Sequence, residues 1–131
     1  VVGRSNIVGR PISILMSLRG KYGNSTVTLA HSKSKNLTEL TQKADIIIMA
    51  LGIPEFLKSN MIKKNSTVID VGITRVEDKS KKRGYTIKGD VDFNSVSKKV
   101  KFLTPVPGGV GPMTIAMLLQ NTLDARLSSL S

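Results

Sequence analysis

The chain of 131 residues contains no cysteine, no tryptophan and only one histidine. Without cysteine, it can form neither a disulfide framework nor a reactive thiolate. A single histidine leaves too few side chains for a zinc site of the usual Cys/His kind, so we expect no metal. Nor does any apolar run approach the roughly 18 residues of a membrane span, so we expect no membrane partner. With a hydrophobic fraction of 40%, the composition is typical of one globular domain.

Acidic residues are also scarce, since 9 Asp and Glu stand against 20 Lys and Arg, a net charge of +11. Such a charge can mark a nucleic-acid-binding protein. The basic residues are scattered, however, with dense clusters only at Lys79–Arg83 and Lys98–Lys101, and few aromatics interleave with them for base stacking. We therefore expect no nucleic-acid partner. The charge is interpreted as a solvated face or as attraction for a polyanionic cofactor, and a basic non-enzymatic binding module remains an alternative.

Strand and helix patterns alternate along the chain, which predicts an α/β fold with a mostly parallel sheet covered on both sides. The predicted strands are Val1–Val2, Ser25–Ala30, Asp45–Leu51, Ser66–Ile73 and Lys101–Thr104. The predicted helices are Pro11–Tyr22, Asn36–Lys43, Asp92–Val100 and the C-terminal run, with a short helix or turn at Pro54–Lys64 and a loop or hairpin at Val76–Lys88.

Three glycines, Gly3, Gly52 and Gly72, lie at the carboxyl ends of predicted strands. Because ligands bind beyond the carboxyl ends of parallel strands, these turns predict a ligand-binding edge. The first turn, Gly3–Pro11, departs from the G-x-G-x-x-G fingerprint of dinucleotide-binding proteins, so the pattern alone is weak. Its position before a helix nevertheless suits a pyrophosphate, because a helix N-terminus offers free N–H groups and a positive dipole end.

The segment after the second predicted strand distinguishes NAD from NADP. An Asp or Glu there would bind the ribose 2′-hydroxyl of NAD. This chain instead has His31-Ser32-Lys33-Ser34-Lys35, whose hydroxyls and cations suit a 2′-phosphate, so NADP is the predicted cofactor. Lys33 and Lys35 could alternatively be merely solvated. We interpret His31 as a structural or phosphate-edge residue, because nothing nearby in sequence would orient it as a base.

The segment Thr104–Thr114, T-P-V-P-G-G-V-G-P-M-T, is the most distinctive motif. Two prolines stiffen the start of the loop, and three glycines allow a flat ligand to come close. Pro112 suits the first position of the helix that follows. A rigid loop with few side chains would form a wall for a planar ligand, and an ordinary tight turn is the alternative.

The carboxylates predict no catalytic residue. None forms an acid–base pair by spacing, and Ser5 lacks an activating base. Asp90 and Asp92 are interpreted as caps of the following helix. Asp70 ends a buried strand and could lie at the edge of a site.

These segments together resemble the NADP-binding domain of the bifunctional methylenetetrahydrofolate dehydrogenase/methenyltetrahydrofolate cyclohydrolase family. The resemblance rests on Gly3–Pro11, His31-Ser32, Asp70–Ile73, Gly89–Val91 and above all Thr104–Thr114. It implies a Rossmann-like three-layer domain at residues 1–112 and a C-terminal helix at residues 113–131 that packs on an N-terminal catalytic domain. The implied reactions of one-carbon metabolism oxidise 5,10-methylenetetrahydrofolate with NADP and hydrolyse the methenyl product to 10-formyltetrahydrofolate.

The resemblance also implies roles for particular residues. Gly3, Arg4 and Ser5 would bind the cofactor phosphates and ribose. Ser32, with His31, would lie by the 2′-phosphate, and Ile73 by the nicotinamide. The reduced folate substrate would face Pro107, Gly108, Gly109, Val110 and Gly111.

The catalytic lysine of that family, with its supporting tyrosine, glutamine and aspartate, belongs to the N-terminal domain. The present sequence starts at Val1-Val2, at the end of a predicted strand, without an initiator Met or a signal peptide. We therefore expect part of a longer protein that binds cofactor without turning over folate. The resemblance implies a homodimer, and we expect a cytoplasmic location, with an organellar one left open. Another NADP-dependent dehydrogenase with a Rossmann-like domain, such as the shikimate type, is an alternative that the Pro/Gly string disfavours.

Overall fold

A computed structural model describes residues 1–130, so Ser131, the last residue of the predicted unit 113–131, lies outside them. The helices are α1 (Gly9–Ser17), α2 (Leu37–Lys43), α3 (Phe93–Val96) and α4 (Val110–Ser128), with a 3-10 helix at Ser59–Met61. The strands are β1 (Ile46–Met49), β2 (Thr67–Asp70), β3 (Thr74–Glu77), β4 (Tyr85–Lys88) and β5 (Phe102–Leu103).

A parallel sheet organises the fold. Its three strands lie in the order β1-β2-β5, and both pairs are parallel. Val2 extends this sheet beyond β1, because it forms parallel bridges with Met49 on one side and Ala30 on the other. The order across the sheet is therefore Ala30, Val2, β1, β2, β5, with all segments running in the same direction. This arrangement confirms the predicted α/β fold with a mostly parallel sheet.

The core lies around β1 and β2. Three of the four residues of β1 are buried, as expected of a strand covered on both faces. Eight of the buried apolar side chains form one cluster, which consists of Val2, Ile47, Met49, Leu57, Ile62, Val68, Val91 and Val96.

Strands β3 and β4 form a separate antiparallel hairpin, which confirms the hairpin alternative for the basic segment. The cluster Lys79–Arg83 lies in its exposed turn. Next to that turn, the guanidinium groups of Arg75 and Arg83 lie 4.9 and 5.1 Å from the centre of the Tyr85 ring. These cation–π contacts hold two of the basic side chains against the hairpin.

The predicted strand Ser25–Ala30 joins the sheet only through Ala30, which forms a bridge with Val2. The segment runs beside Val1, whose amino group donates to the Thr28 carbonyl (2.8 Å) and whose carbonyl accepts from the Ala30 N–H (2.8 Å).

Helix α1 begins at Gly9 and ends at Ser17, so the prediction of Pro11–Tyr22 placed it too late and made it too long. Leu18 is extended, and the N–H groups of Asn24 and Ser25 donate to the carbonyls of Leu18 and Met16 (2.8 and 2.9 Å). The chain thus folds back onto the end of the helix instead of prolonging it.

Other predicted elements are present with shorter bounds: β1 within Asp45–Leu51, β2 within Ser66–Ile73, β5 within Lys101–Thr104, α3 within Asp92–Val100 and the 3-10 helix within Pro54–Lys64. Helix α4 instead starts early, at Val110, so Pro112 is its third residue and not its first. A proline is tolerated there because N–H groups of the first turn have no partner within the helix.

Candidate functional site

The residues that follow the five parallel segments meet at one edge of the sheet, here called the carboxyl edge. They are Gly3–Ser5, His31-Ser32, Ala50–Ile53, Val71–Ile73 and Thr104–Gly109. The three glycine turns after Val2, β1 and β2 all lie there. The sequence-predicted cofactor residues and the start of the predicted folate-facing loop are therefore on the side of the sheet where open α/β proteins bind ligands.

The first glycine turn is set by close backbone packing. Gly3 has φ +120°, and a Cβ on it would overlap the backbone carbonyl of Ala50. A Cβ on Gly9, the first residue of α1, would overlap the carbonyl of Gly3. Two glycines six positions apart thus let the helix N-terminus come close to the ends of the strands. In place of the fingerprint's second glycine, the Ser5 hydroxyl accepts from the N–H groups of Val8 and Gly9 (3.1 and 3.3 Å).

The same turn has the donors that an anion needs. Within residues 1–130, the backbone N–H groups of the four residues from Arg4 to Ile7 have no hydrogen-bond acceptor. They precede a helix of nine residues, whose dipole adds positive potential at this end. Arg4 is exposed, and the Arg10 guanidinium is hydrogen-bonded to Asn6 (3.1 Å). Free N–H groups and nearby cations suit a phosphate group.

His31 is a structural part of the next turn. The ring nitrogen Nδ1 of His31 accepts a hydrogen bond from the Lys33 backbone N–H (3.1 Å). The backbone N–H of His31 donates to the Ser34 hydroxyl (2.9 Å). Neutral imidazole with an accepting Nδ1 carries its proton on Nε2, so the ring can still donate to an anion. The neighbouring Ser32 is exposed, and its hydroxyl makes no hydrogen bond to the part of the chain that is described. This turn therefore offers donors without an acid.

Asp70, the last residue of β2, is buried and accepts three backbone N–H groups. The donors are Gly72, Asp90 and Val91, at 2.9, 3.0 and 2.9 Å. Burial raises the pKa of Asp70; the three hydrogen bonds lower it, and the nearby Asp90 carboxylate raises it further. Because its oxygens are occupied, Asp70 is a structural anchor of the edge. Ile73, which directly follows Gly72, is 67% exposed and available to a ligand.

Asp90 does not cap the following helix, so that interpretation of the sequence is wrong. Its carboxylate accepts the N–H groups of Leu51, Gly52 and Ile53, at 2.6, 3.0 and 2.9 Å. Asp92 is the N-cap of α3, through its bond from the Ser95 N–H (3.3 Å). No local pattern could reveal the role of Asp90, because its partners lie 37 to 39 positions away.

The loop Thr104–Gly109 is attached to the end of β2. The Thr104 hydroxyl accepts the Asp70 N–H (2.8 Å), and the peptide bond before Pro107 is cis. Gly108 has φ +102°, which favours glycine at that position. Residues 108–110 line a groove of about 820 Å³ together with Ile69 and one side of α4, including Met113 and Met117.

Helix α4 is apolar and exposed. From Gly111 to the end of the described chain, every residue is exposed. The large apolar side chains among them are Met113, Ile115, Met117, Leu118, Leu119, Leu123, Leu127 and Leu130. Exposed apolar surface of this extent marks a surface for another protein segment.

No other region of residues 1–130 gathers the chemistry of a site. A second cavity, about 540 Å³ near Val1 and α2, is lined by none of the sequence-predicted site residues. These residues contain no group of three or more His, Cys, Asp or Glu side chains placed to hold a metal ion. None of the helices among them combines the length and hydropathy needed to cross a membrane.

The sequence is closely similar to curated bacterial proteins. It is 71% identical over 126 residues to the bifunctional protein FolD of Flavobacterium johnsoniae, covering 96% of this chain and 43% of that protein. FolD of Christiangramia forsetii is 66% identical over 126 residues, with 96% and 42% covered. The chain thus spans less than half the length of these relatives.

Solved structures show the same similarity. The Trypanosoma brucei methylenetetrahydrofolate dehydrogenase-cyclohydrolase, complexed with NADP and an inhibitor, is 40% identical with a TM-score of 0.87, over 98% of this chain and 43% of that one. The bifunctional FolD of Campylobacter jejuni is 48% identical, with a TM-score of 0.83 and coverage of 98% and 42%. These likenesses confirm the Rossmann-like fold.

The family model of the tetrahydrofolate dehydrogenase/cyclohydrolase NAD(P)-binding domain matches residues 1–129. This match confirms the resemblance found in the sequence motifs. The chain therefore belongs to the tetrahydrofolate dehydrogenase/cyclohydrolase family and constitutes its NAD(P)-binding domain.

Proposed function

We propose that this chain is the NADP-binding portion of an enzyme that oxidises 5,10-methylenetetrahydrofolate and hydrolyses the methenyl product to 10-formyltetrahydrofolate. One observation carries the proposal: the free N–H groups of the first glycine turn, the acid-free turn at His31 and the Pro/Gly loop all lie at the carboxyl edge. Family membership supports it, as does the NADP bound in the related Trypanosoma brucei structure.

In this proposal, the cofactor lies along the edge in the order of the strands. Gly3, Arg4 and Ser5 bind its phosphates and ribose. The N–H groups of Arg4 and Ser5 are free, and the Gly3 N–H is held by the Ala30 carbonyl. Ser32 and the Nε2–H of His31 donate to the 2′-phosphate, and no carboxylate in that turn repels it. The exposed side chain of Ile73 packs against the nicotinamide ring.

When bound, the nicotinamide supplies the hydride acceptor of the oxidation. The residues Pro107, Gly108, Gly109, Val110 and Gly111 would form the wall that faces the reduced folate. Their small side chains and the groove beside Gly108–Val110 leave room for a planar ligand. This loop and β2 are joined by the bond between Thr104 and Asp70, so the folate wall and the cofactor side keep a fixed relation.

We assign no catalytic residue to this chain, because Asp70 and Asp90 are fully occupied by backbone donors. The catalytic groups belong to the remainder of the parent enzyme. Residues 1–112 form the cofactor-binding unit, and residues 113–131 return to that remainder through the exposed face of α4. A homodimeric, cytoplasmic parent enzyme completes the proposal.

Calorimetric titration tests the cofactor assignment. The chain should bind NADP⁺ more tightly than NAD⁺. Ser32→Asp should weaken NADP⁺ binding by about ten-fold or more, because a carboxylate beside a phosphate costs more than about 1.4 kcal/mol. NAD⁺ binding should change much less, since NAD⁺ lacks the 2′-phosphate.

Ser97→Asp is the matched control, since it adds the same charge at an exposed position after α3, outside the carboxyl edge. It should leave both affinities unchanged. An unaltered NADP⁺/NAD⁺ ratio in Ser32→Asp would contradict the role of that turn. A folded wild-type chain that binds no NADP⁺ at millimolar concentration would contradict the proposed function itself.

A further inference from the structure

Two buried carboxylates at the carboxyl edge have no part in the proposed binding of cofactor or folate. Asp70 and Asp90 are 3% and 0% exposed, and neither forms an ion pair with a described residue. Leaving a carboxylate buried without a cation is costly unless hydrogen bonds satisfy it. Here six backbone N–H groups do so, three for each side chain.

The two aspartates form a reciprocal lock between two short motifs, D-V-G at the end of β2 and G-D-V after β4. A Cβ on Gly89 would overlap the carboxylate of Asp70, and a Cβ on Gly72 would overlap that of Asp90. Each glycine therefore makes room for the aspartate of the other motif. The space at these two glycines is occupied by the carboxylates, whereas the sequence pattern predicted that Gly72 belongs to a ligand-binding turn.

The lock extends to the loop after β1. Asp70 holds the backbone N–H of Asp90 at 3.0 Å, and the Asp90 side chain in turn holds the amides of residues 51–53. Since β1 and β2 are neighbours, this chain of bonds fixes two adjacent strand ends relative to each other. No hydrogen bond of either carboxylate reaches the first glycine turn or the turn at His31.

We propose that Asp90, held by Asp70, is a positioning residue for the nicotinamide half of the cofactor site. This inference rests on the proposed function, in which the adenosine half lies by Gly3 and His31 and the nicotinamide half by Ile73. The order of the sheet places the loop 51–53 between the Gly3 turn and Ile73. Loss of the Asp90 carboxylate should therefore loosen one half of the site and leave the other intact.

The test is Asp90→Asn, titrated with two probes, NADPH and adenosine 2′,5′-bisphosphate, which lacks the nicotinamide half. The carboxamide keeps the size of the side chain but presents an NH₂ group to at least one N–H of the loop. Loss of such a charge-assisted bond should weaken NADPH binding by about ten-fold, with less than about two-fold change for the bisphosphate. Asp92→Asn is the matched control, because it alters the second aspartate of the same G-D-V-D run outside the lock and should change neither affinity.

Equal weakening of both probes, or no change in NADPH affinity, would overturn the positioning role. A wild-type chain that binds neither probe would overturn the proposed function and this inference with it. If Asp90→Asn does not fold, amide hydrogen exchange of the unliganded wild type tests whether Asp90 holds the loop 51–53. The amides of Leu51, Gly52 and Ile53 should exchange far more slowly than the free amides of residues 4–7, although Gly52 is exposed. Equally fast exchange in the two segments would refute the lock.

Discussion

The carboxyl edge and helix α4 differ in whether their side chains find partners within the chain. At the edge, the buried carboxylates of Asp70 and Asp90 accept six backbone N–H groups from three loops, all within the chain. In α4, the apolar side chains are exposed instead, and Leu119 keeps 68% of its surface accessible. The edge is built by the chain itself, whereas α4 presents a surface that another segment can cover.

The loops of the carboxyl edge are ordered by contacts within the domain, whereas α4 has few such contacts. A loop held by buried hydrogen bonds keeps its geometry before any ligand arrives, which lowers the entropic cost of binding. An exposed apolar helix gains little from the domain that carries it, because helix stability in proteins comes mainly from packing of a buried face. The cofactor side should therefore tolerate substitution poorly, and α4 should tolerate it well.

A matched pair of helix glycines gives the largest expected contrast. Gly9 and Gly111 are the first residue of α1 and the second of α4. A Cβ on Gly9 would meet the Gly3 backbone, whereas a Cβ on Gly111 would have no atom within 4 Å. Gly9→Ala should lower the free energy of unfolding by about 3 kcal/mol, because a backbone carbonyl cannot move aside easily.

Gly111→Ala should instead raise the free energy of unfolding by up to about 1 kcal/mol, since alanine favours the helix. Urea unfolding of both variants measures the two values. NADP⁺ affinity should fall only in Gly9→Ala. If the two substitutions had equal effects on stability, the close approach of α1 to the Gly3 turn would not be what requires glycine at position 9.

The sequence was sufficient to predict the parallel sheet and the positions of the glycine turns. Alternation of apolar strands with helical patterns is a local property, and the buried run in β1 is visible without any tertiary information. The segment Thr104–Thr114 likewise identified the family from its residues alone. These features depend on residues that are close together in the chain.

The roles of Asp70 and Asp90 could not be predicted, because their partners are distant in sequence. An aspartate three residues before a short helix is typical of a cap region, and only the fold brings Asp90 to the amides after β1. Strand Ser25–Ala30 failed for a similar reason. Its β-branched pattern was genuine, but pairing depends on a segment that is distant in sequence, and only Ala30 forms a bridge, with Val2.

The pH dependence of stability tests the buried state of Asp70. Its pKa is raised in the folded protein above the ordinary value near 3.9, so the folded state binds the proton more tightly than the unfolded state. As pH rises from the ordinary value through the raised one, the wild type should lose stability on account of this group. The Asp70→Asn variant has no titrating group at this position, so it does not show this pH-dependent loss of stability. It is less stable than wild type at every pH, because its side-chain amide is a poorer acceptor for the three N–H groups.

The stability advantage of wild type over Asp70→Asn should therefore be larger on the acid side of this window. The difference amounts to about 1.4 kcal/mol for each unit by which the pKa is raised. Urea unfolding of both proteins from acid to neutral pH measures it, and Glu77→Gln, at an exposed position of β3, serves as a control. If the stability advantage of wild type instead grew as pH rises, the three N–H groups would lower the pKa of Asp70 by more than burial raises it.

The smallest effect is expected in α4. Leu119→Gln and Leu123→Gln together replace two exposed side chains on one row of the helix. The free energy of unfolding and the NADP⁺ affinity should change by less than about 0.5 kcal/mol, because neither side chain is buried in the chain. Leu57→Ala, at a fully buried position, should cost about 2–5 kcal/mol and shows that the assay detects lost packing. A loss above about 1 kcal/mol in the glutamine variant would mean that α4 packs on its own domain in solution, and the contrast between α4 and the carboxyl edge would then disappear.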